Sequence, residues 1–245
     1  MTKPKKSFVR PFLLAIKRLI LQEITVMKLE LARESGILIL NDLIFFLTNK
    51  VPTAVKDYEG TKKSIDEALE KFSLDYINLL LIHSPQPWIE VNRTPDRHFK
   101  GNLENWRAME EAVKAGKVRA IGVSNFLKED LDNIIDNGTI KPAVNQIEVN
   151  IGNTPLTLMK YCQEQGIIVE AYSPLAHGRA LTNLKIKKYA DKYHVSPAQL
   201  MLKYDCQLGC VVLPKTDKIN DMKQDRQLNF EIDDSNMEEL KRLRF

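Results

Sequence analysis

Six short apolar runs alternate with amphipathic helical stretches from Asp42 to near the end of the chain. The runs are LIFFLTNK, DYINLLLIH, VRAIGVSN, PAVNQIEV, GIIVEAYSP and CVVLPKT. Each run is continuously apolar rather than alternating, which is typical of parallel strands covered on both faces. The helical stretches between them carry apolar residues at a helical period. The alternation therefore predicts one α/β domain made of repeated β-α units.

Local signals place the ends of several helices. Ser196 before Pro197 predicts a cap followed by proline at the first helical position. Gly166 stands where a glycine after a helix is expected. Ser235 and Glu238 have the spacing of a capping box for the last helix. No stretch between these signals has the composition of a linker, which favours a single domain.

The bulk composition excludes several classes of protein. The chain has 245 residues, a common length for one α/β barrel, and its net charge of +4 is too modest to indicate a nucleic-acid partner. No apolar run is long enough to span a bilayer. Lys17 and Arg18 interrupt the apolar run from Phe12 to Ile16, which fits a secretory signal badly. The three cysteines, Cys162, Cys206 and Cys210, lack metal-ligand spacing. We therefore expect a cytoplasmic protein without a metal site.

Polar residues recur where the apolar runs stop. They are Lys50, His83, Ser124 with Asn125, Gln146, Tyr172 with Ser173, and Lys215 with Thr216. In a parallel barrel these strand ends lie on one face, which is the face that carries the active site. Each residue alone has an ordinary explanation, since a single histidine is often structural and a terminal lysine is often solvated. Polar ends on six successive runs predict a shared site.

Several motifs, taken in order, resemble those of the aldo-keto reductases. The motifs are LDYINLLLIHSPQP, VRAIGVSNF, PAVNQIEVN, VEAYSPLAHGRAL and VVLPKT, and the similarity runs from about Leu31 to Asp234. The resemblance implies a (β/α)8 barrel of the TIM type that binds NADPH, or NADH, without a Rossmann domain. Consistently, the chain contains no G-x-G-x-x-G. The resemblance also implies that residues 1–245 form a single domain, in which residues 1–30 are atypical.

The resemblance implies that four of the strand-end residues bind the nicotinamide. Ser124, Asn125 and Gln146 match residues that hydrogen-bond its carboxamide, a group that needs both donors and acceptors. Tyr172 matches the aromatic ring that stacks on the nicotinamide. These four residues would therefore hold the reactive end of the cofactor.

Other positions match the family's phosphate contacts. Ser173, Leu175 and the loop AHGR match the segment that wraps the pyrophosphate. Lys215 and Thr216 match the pair that holds the 2′-phosphate of NADP, which suits a cation and a hydroxyl. The resemblance therefore assigns the end of the last run to the phosphate that distinguishes NADPH from NADH.

The adenine-binding positions depart from the family pattern. Asp221 stands where the family often has an arginine, and an acid there would repel phosphate. Gln224 and Asp225 replace a Glu-Asn pair that contacts adenine. We therefore expect NAD(P)H binding with a relaxed preference for NADPH.

The chain retains half of the family's catalytic tetrad. His83 matches the histidine that orients the substrate carbonyl, and Lys50 matches the lysine that lowers the pKa of a neighbouring tyrosine. Trp88, within residues 85–99, is expected to line the substrate pocket, and a surface role for that segment is an equal alternative. The catalytic tyrosine and its aspartate are absent before Lys50, since the first tyrosine of the chain is Tyr58.

The segment KRLILQEITVMK, residues 17–28, stands where the family has D-T-A-x-x-Y-G-N-E. A back-translation of residues 17–29, read two bases later, spells A-F-D-T-A-R-N-Y-G-N-E-A and restores the missing aspartate and tyrosine. Met27 and Lys28 together force the glutamate of that motif, because their codons leave no choice there. We therefore interpret the segment as frame-shifted, with the frame restored near Leu31. An ordinary divergent N-terminal helix is the alternative.

Two functions follow from these observations. The first is an NAD(P)H-dependent oxidoreductase that reduces a small aldehyde or ketone to the alcohol. The second is a catalytically inert nucleotide-binding or interaction protein on the same barrel, because the aspartate and tyrosine are absent. A barrel that lacks its N-terminal strands leaves an open edge, through which self-association is possible. We otherwise expect a monomer with a small carbonyl substrate and neither a nucleic-acid nor a membrane partner.

We expect the gene, sequenced directly across the codons for Leu13 to Ser35, to contain the bases of D-T-A-x-x-Y-G-N-E in a shifted frame. Sequencing the transcript over the same codons is the control for an error in either template. Codons for residues 17–28 that do not encode this motif in any frame would contradict the frame-shift and favour the divergent helix.

Overall fold

The computed structural model describes residues 46–91, 93–215, 225 and 227–245, and its centre is one parallel β-sheet. The strands are β1 (Thr48–Val51), β2 (Ile77–Ile82), β3 (Val118–Ser124), β4 (Val144–Glu148), β5 (Ile168–Tyr172) and β6 (Val211–Leu213). Each strand pairs in parallel with the next, in the order β1 to β6. All six predicted strands are confirmed. Residues 17–28 lie outside the described residues.

Helices connect the strands. They are α1 (Tyr58–Phe72), α2 (Phe99–Lys114), α3 (Lys128–Asn137), α4 (Leu156–Glu164), α5 (Leu184–Lys192), α6 (Pro197–Gln207) and α7 (Asp234–Lys241). A 3-10 segment, Ala176–Thr182, precedes α5. Within the described ranges, no helix has the length and apolar character needed to cross a membrane. The order of elements is that of a (β/α)8 barrel, and the described residues supply six of its strands.

Two helix ends agree with the sequence signals. The Ser196 hydroxyl accepts a hydrogen bond from the backbone N–H of Gln199, and Pro197 is the first residue of α6. Gly166 follows α4 with a φ of +71°, a conformation that favours glycine. In both places, the local residue chemistry was sufficient to set the boundary.

The predicted start of the last helix is wrong. Helix α7 begins at Asp234, with Asp233 as its N-cap, so Ser235 lies inside the first turn. The Asp233 N–H donates to the Tyr193 hydroxyl (2.9 Å), and the Asp233 carboxylate pairs with Lys192 (3.2 Å). These contacts with α5 and the residue after it hold the chain at Asp233, and they override the capping-box signal.

The sheet separates two apolar layers. On the outer side, Leu80 and Ile82 of β2 pack with Trp106 of α2 and Leu131 of α3. The opposite side, here called the inner face, carries Leu79, Leu81, Ala120, Ala143, Val144, Ile168 and Val211. Successive side chains of a strand point to opposite sides. The strand register therefore decides which polar side chains join the inner face.

A buried ion pair anchors the segment that follows β2. Arg97 donates from Nε to Asp130 Oδ1 (3.0 Å), contacts the second carboxylate oxygen, and donates from Nη1 to Gln86 Oε1 (3.0 Å). Gln86 Nε2 donates in turn to the Asp96 carbonyl oxygen (2.7 Å). Asp130 also accepts from the backbone N–H of Leu127 (2.8 Å), at the start of α3. The network therefore ties the segment after β2 to the segment after β3.

We expect Asp130→Asn to lower the free energy of unfolding by about 3 kcal/mol, since the largely buried Arg97 loses its buried charged partner and keeps only the exposed Glu129, at 3.2 Å. Asp136→Asn makes the same change at an exposed position of the same helix and should cost less than about 0.5 kcal/mol. Urea denaturation followed by circular dichroism measures both values. Equal effects of the two substitutions would contradict an anchoring role for the ion pair.

Candidate active site

Strand register brings predicted site residues together at the carboxyl ends of the strands. Lys50 is in register with Leu81, a residue of the inner face. Ser124, Gln146 and Glu170 are in register with one another on β3, β4 and β5. The residues two positions earlier on β4 and β5 belong to the inner face, and residues two apart share a side. These polar side chains therefore project from the inner face.

Asn125 links the ends of four strands. Its backbone has a φ of +61°, and its N–H donates to the Gln146 carbonyl oxygen (3.0 Å). Its side-chain Nδ2 donates to the His83 carbonyl oxygen and to Ser124 Oγ, both at 3.1 Å. Its Oδ1 accepts a hydrogen bond from the Tyr172 hydroxyl (2.9 Å). The network therefore fixes the Tyr172 hydroxyl beside the predicted carboxamide-binding residues.

Glu170 is a member of this cluster that the sequence analysis missed. Its side chain is buried, with a residue exposure of 3%, and its Oε2 accepts from Gln146 Nε2 (2.8 Å). Burial raises the pKa of Glu170, while the Gln146 hydrogen bond and the charge of Lys50 act in the opposite direction. The available signal was an acid in the middle of an apolar strand, because glutamate is almost never fully buried without a partner.

The two predicted catalytic residues, Lys50 and His83, lie in surroundings that disfavour their charged forms. Burial lowers the pKa of Lys50, and the negative charge of Glu170 partly offsets this effect. Burial and, secondarily, repulsion by Lys50 lower the pKa of His83. His83 is therefore a neutral imidazole near pH 7, with one N–H donor and one acceptor. Such a group can donate a hydrogen bond to a carbonyl oxygen.

Trp88 lies directly beside His83. The centroids of the two rings are 5.1 Å apart, and the rings meet edge to face with an interplanar angle of 84°. Trp88 is 51% exposed, so a large apolar surface faces solvent next to the imidazole. Its segment is anchored by the Arg97–Asp130 pair described above. The position suits a wall of a substrate pocket, and that role stays a prediction.

The segment after β5 turns sharply. Ser173 has a φ of +51°, and its Oγ lies 3.3 Å from His177 Nε2. Ala176, His177 and Gly178 are three successive residues with positive φ (48°, 55° and 82°). Leu175 packs against a second apolar cluster that contains residues of α5, α6 and α7. The predicted pyrophosphate segment is therefore a structured loop at the same end of the sheet.

The remaining predicted positions are described only in part. Lys215 is exposed and lies two residues beyond β6, and Asp225 is half-buried and has interactions with the rest of the chain. Thr216, Asp221 and Gln224 lie outside the described residues. The roles of these five residues toward phosphate and adenine therefore stay predictions.

Comparison with known proteins gives one consistent family. The model of the Aldo/keto reductase family matches residues 44–244. The glyoxal reductase of Bacillus subtilis is 37% identical over 196 residues, which cover 80% of this chain and 67% of that protein. An NAD/NADP-dependent indole-3-acetaldehyde reductase of Schizosaccharomyces pombe is 35% identical over 204 residues, which cover 80% of this chain and 68% of that protein.

The structural neighbours agree with these matches. The crystal structure of a Bombyx mori aldo-keto reductase in complex with NADP has a TM-score of 0.69 and 30% sequence identity, over 80% of this chain and 67% of that chain. The alignments with the first three curated relatives cover 67%, 65% and 62% of those proteins. The chain therefore spans about two thirds of the length of the relatives that it matches.

We expect the His83 imidazole to titrate below about 6.5, the ordinary histidine value, since burial and Lys50 both disfavour the imidazolium ion. Lys50→Met should raise the pKa of His83 and leave it below the ordinary value, because burial is the larger cause. NMR titration of the imidazole resonances measures both, with the other three histidines as internal references. An unchanged His83 titration in the Lys50 variant would contradict the coupling.

Proposed function

The chain belongs to the aldo/keto reductase family, and we propose on that basis that it is an NAD(P)H-dependent oxidoreductase that reduces a small aldehyde or ketone to the alcohol. The observation that carries the proposal is the polar cluster at the carboxyl ends of β1 to β5. Lys50 and His83 are its catalytic candidates. Asn125 is hydrogen-bonded to the His83 carbonyl oxygen, to Ser124 and to Tyr172. Asn125, Ser124 and Tyr172, together with Gln146, would supply the contacts for a nicotinamide.

The chemistry of the cluster fits a nicotinamide carboxamide. Among the described residues, Gln146 Oε1 accepts no hydrogen bond, while its Nε2 donates to Glu170. Ser124 Oγ accepts from Asn125 and keeps its hydroxyl proton as a donor. The cluster thus combines an available acceptor with an available donor, as a primary amide requires. The Tyr172 ring, tethered to Asn125, lies within the same cluster and can stack on the nicotinamide.

The rest of the cofactor would follow the turn after β5 and the end of β6. Ser173, Leu175 and the AHGR loop would contact the pyrophosphate, and Lys215 with Thr216 would hold a 2′-phosphate. Gln224 and Asp225 would lie near adenine. NADPH is the preferred cofactor in this proposal, and NADH is accepted as well, since Asp221 disfavours phosphate. The S. pombe relative, described as NAD/NADP-dependent, supports the dual specificity.

The residues of this chain orient the substrate and stabilise charge. When bound, the cofactor supplies a hydride to the carbonyl carbon. His83, neutral at pH 7, donates its N–H to the carbonyl oxygen, and Trp88 covers one side of the substrate. No tyrosine precedes Lys50 in the sequence, so a positioned acid of that type is missing. The proton on the alkoxide oxygen would then come from water. Since general acid catalysis contributes about 10²–10⁴-fold, the reduction should be slower by about this factor than with a positioned tyrosine.

The wider properties of the protein form part of the same proposal. Residues 1–245 would make one barrel domain in the cytoplasm, with a frame-shifted segment near residues 17–28. Among the described residues, β1 and β6 are the outermost strands of the sheet, and we expect a monomer that could self-associate through such an edge. Glyoxal reductase of B. subtilis suggests a small aldehyde as the substrate class.

Tyr172→Ala should weaken NADPH binding by about two- to tenfold, because it removes a stacking interaction of about 0.5–1.5 kcal/mol. Tyr172→Phe keeps the ring and loses only the hydroxyl bond to Asn125, so its effect should be smaller. Tyr58→Ala, on α1, is the control and should have no effect. Quenching of intrinsic fluorescence measures the dissociation constants. Equal affinities for all four proteins would contradict the proposed site.

Turnover separates the reductase from the inert alternative. We expect slow, glyoxal-dependent oxidation of NADPH, followed by absorbance at 340 nm, that His83→Leu abolishes because the carbonyl loses its hydrogen-bond donor. NADPH binding without any turnover would support a nucleotide-binding protein without catalytic activity. The absence of both binding and turnover would contradict the proposal as a whole.

A further inference from the structure

Glu170 occupies an unusual position for a carboxylate. It lies in the middle of β5, in register with Gln146 on one side and Val211 on the other, and only 3% of it is exposed. Its one hydrogen bond to a described side chain comes from Gln146 Nε2, at 2.8 Å. A buried carboxylate costs free energy unless it is paired. Its contact with Gln146, a candidate nicotinamide-binding residue, suggests that the carboxylate has a function there.

The ionised form of Glu170 imposes an orientation on Gln146. A carboxylate only accepts hydrogen bonds, whereas the two ends of a side-chain amide differ, one being a donor and the other an acceptor. Gln146 must therefore turn its Nε2 toward Glu170, which leaves Oε1 on the other side of the amide. A protonated or neutral partner would allow the reverse orientation, with Nε2 free for a ligand.

Lys50 favours the ionised form. Its positive charge acts on Glu170 from β1 and opposes the effect of burial on that carboxyl group. The interaction is mutual, because Glu170 is also the group whose charge supports protonation of Lys50. Glu170 thus interacts with a catalytic candidate, Lys50, and with a cofactor-binding candidate, Gln146.

We infer that Glu170 is a positioning residue, which orients the Gln146 amide so that its carbonyl oxygen selects a ligand with an amide N–H. The inference rests on the proposed function, since the ligand group is the nicotinamide carboxamide. Glu170 itself does not touch the cofactor. It acts through Gln146, and its effect is confined to the recognition of one hydrogen-bond donor.

The test compares two ligands that differ only in this donor. NADP⁺ has a carboxamide, and its 3-acetylpyridine analogue has a methyl ketone, which keeps the carbonyl oxygen and lacks the N–H. The wild-type chain should bind NADP⁺ several-fold to about tenfold more tightly than the analogue, the range expected for one net hydrogen bond. In Glu170→Gln, which preserves size but lets either end of the Gln146 amide face the ligand, the ratio should fall to within about twofold of unity.

Glu110→Gln is the matched control. Glu110 is also a buried glutamate (6% exposed), and it lies on α2, away from the inner face. Its side chain accepts hydrogen bonds from the backbone N–H groups of Thr139 and Ile140, at 2.6 and 2.7 Å. The same substitution there should leave the ratio at its wild-type value. If Glu170→Gln does not fold, Glu170→Leu removes the carboxylate without burying a new polar group, and the same loss of discrimination is expected.

The outcomes separate the inference from the function. A wild-type ratio retained in the folded Glu170 variants would overturn the positioning role and leave the proposed function intact. Equal affinities of the wild type for NADP⁺ and the 3-acetylpyridine analogue would also overturn the positioning role and leave the proposed function intact. Binding of neither ligand to the wild type would overturn the proposed function, and the inference with it. A purely structural role of Glu170 would weaken both ligands equally, so the ratio would not move.

Discussion

The in-register pairing of parallel strands is the constraint on which the rest of the structure depends. It places every second residue of each strand on the inner face, and it aligns Ser124, Gln146 and Glu170 across three neighbouring strands. No long-range side-chain contact is needed to bring these groups together. The hydrogen bonds of Asn125 then join the strand ends, and they include the Tyr172 hydroxyl. The candidate site is thus a consequence of the sheet rather than of flexible loops.

The same arrangement places three ionisable side chains where burial disfavours their charged forms, and their charges affect one another. Lys50, His83 and Glu170 lie in surroundings that disfavour charge, and burial is the main cause of the pKa shift of each. Lys50 and Glu170 each counter the effect of burial on the other, whereas Lys50 adds to the effect on His83. Lys50 and Glu170 thus favour each other's charged form, while His83 is held as a neutral imidazole. This division suits a site that must bind a neutral amide and polarise a carbonyl.

Much of this organisation was predictable from the sequence, because strand periodicity and polar strand ends are local signals. The six strands, the cap at Ser196 and the (β/α)8 architecture were predicted and are confirmed. Glu170 was not predicted, since its partner lies 24 residues away and only the register reveals the contact. The Arg97–Asp130 pair was missed for the same reason, since its partners lie 33 positions apart in the sequence. The start of α7 was placed wrongly because contacts with α5 and the residue after it override the capping signal.

The central claim is that the polar ends of β2 to β5 form one cofactor site, and hydrogen exchange with and without NADPH tests it most directly. Peptides that contain His83, Ser124 with Asn125, Gln146 and Tyr172 should all exchange more slowly when NADPH is bound. Peptides from the outer helices α2 and α3 should not change. Protection confined to the outer helices, or to only one of the strand ends, would contradict a shared site.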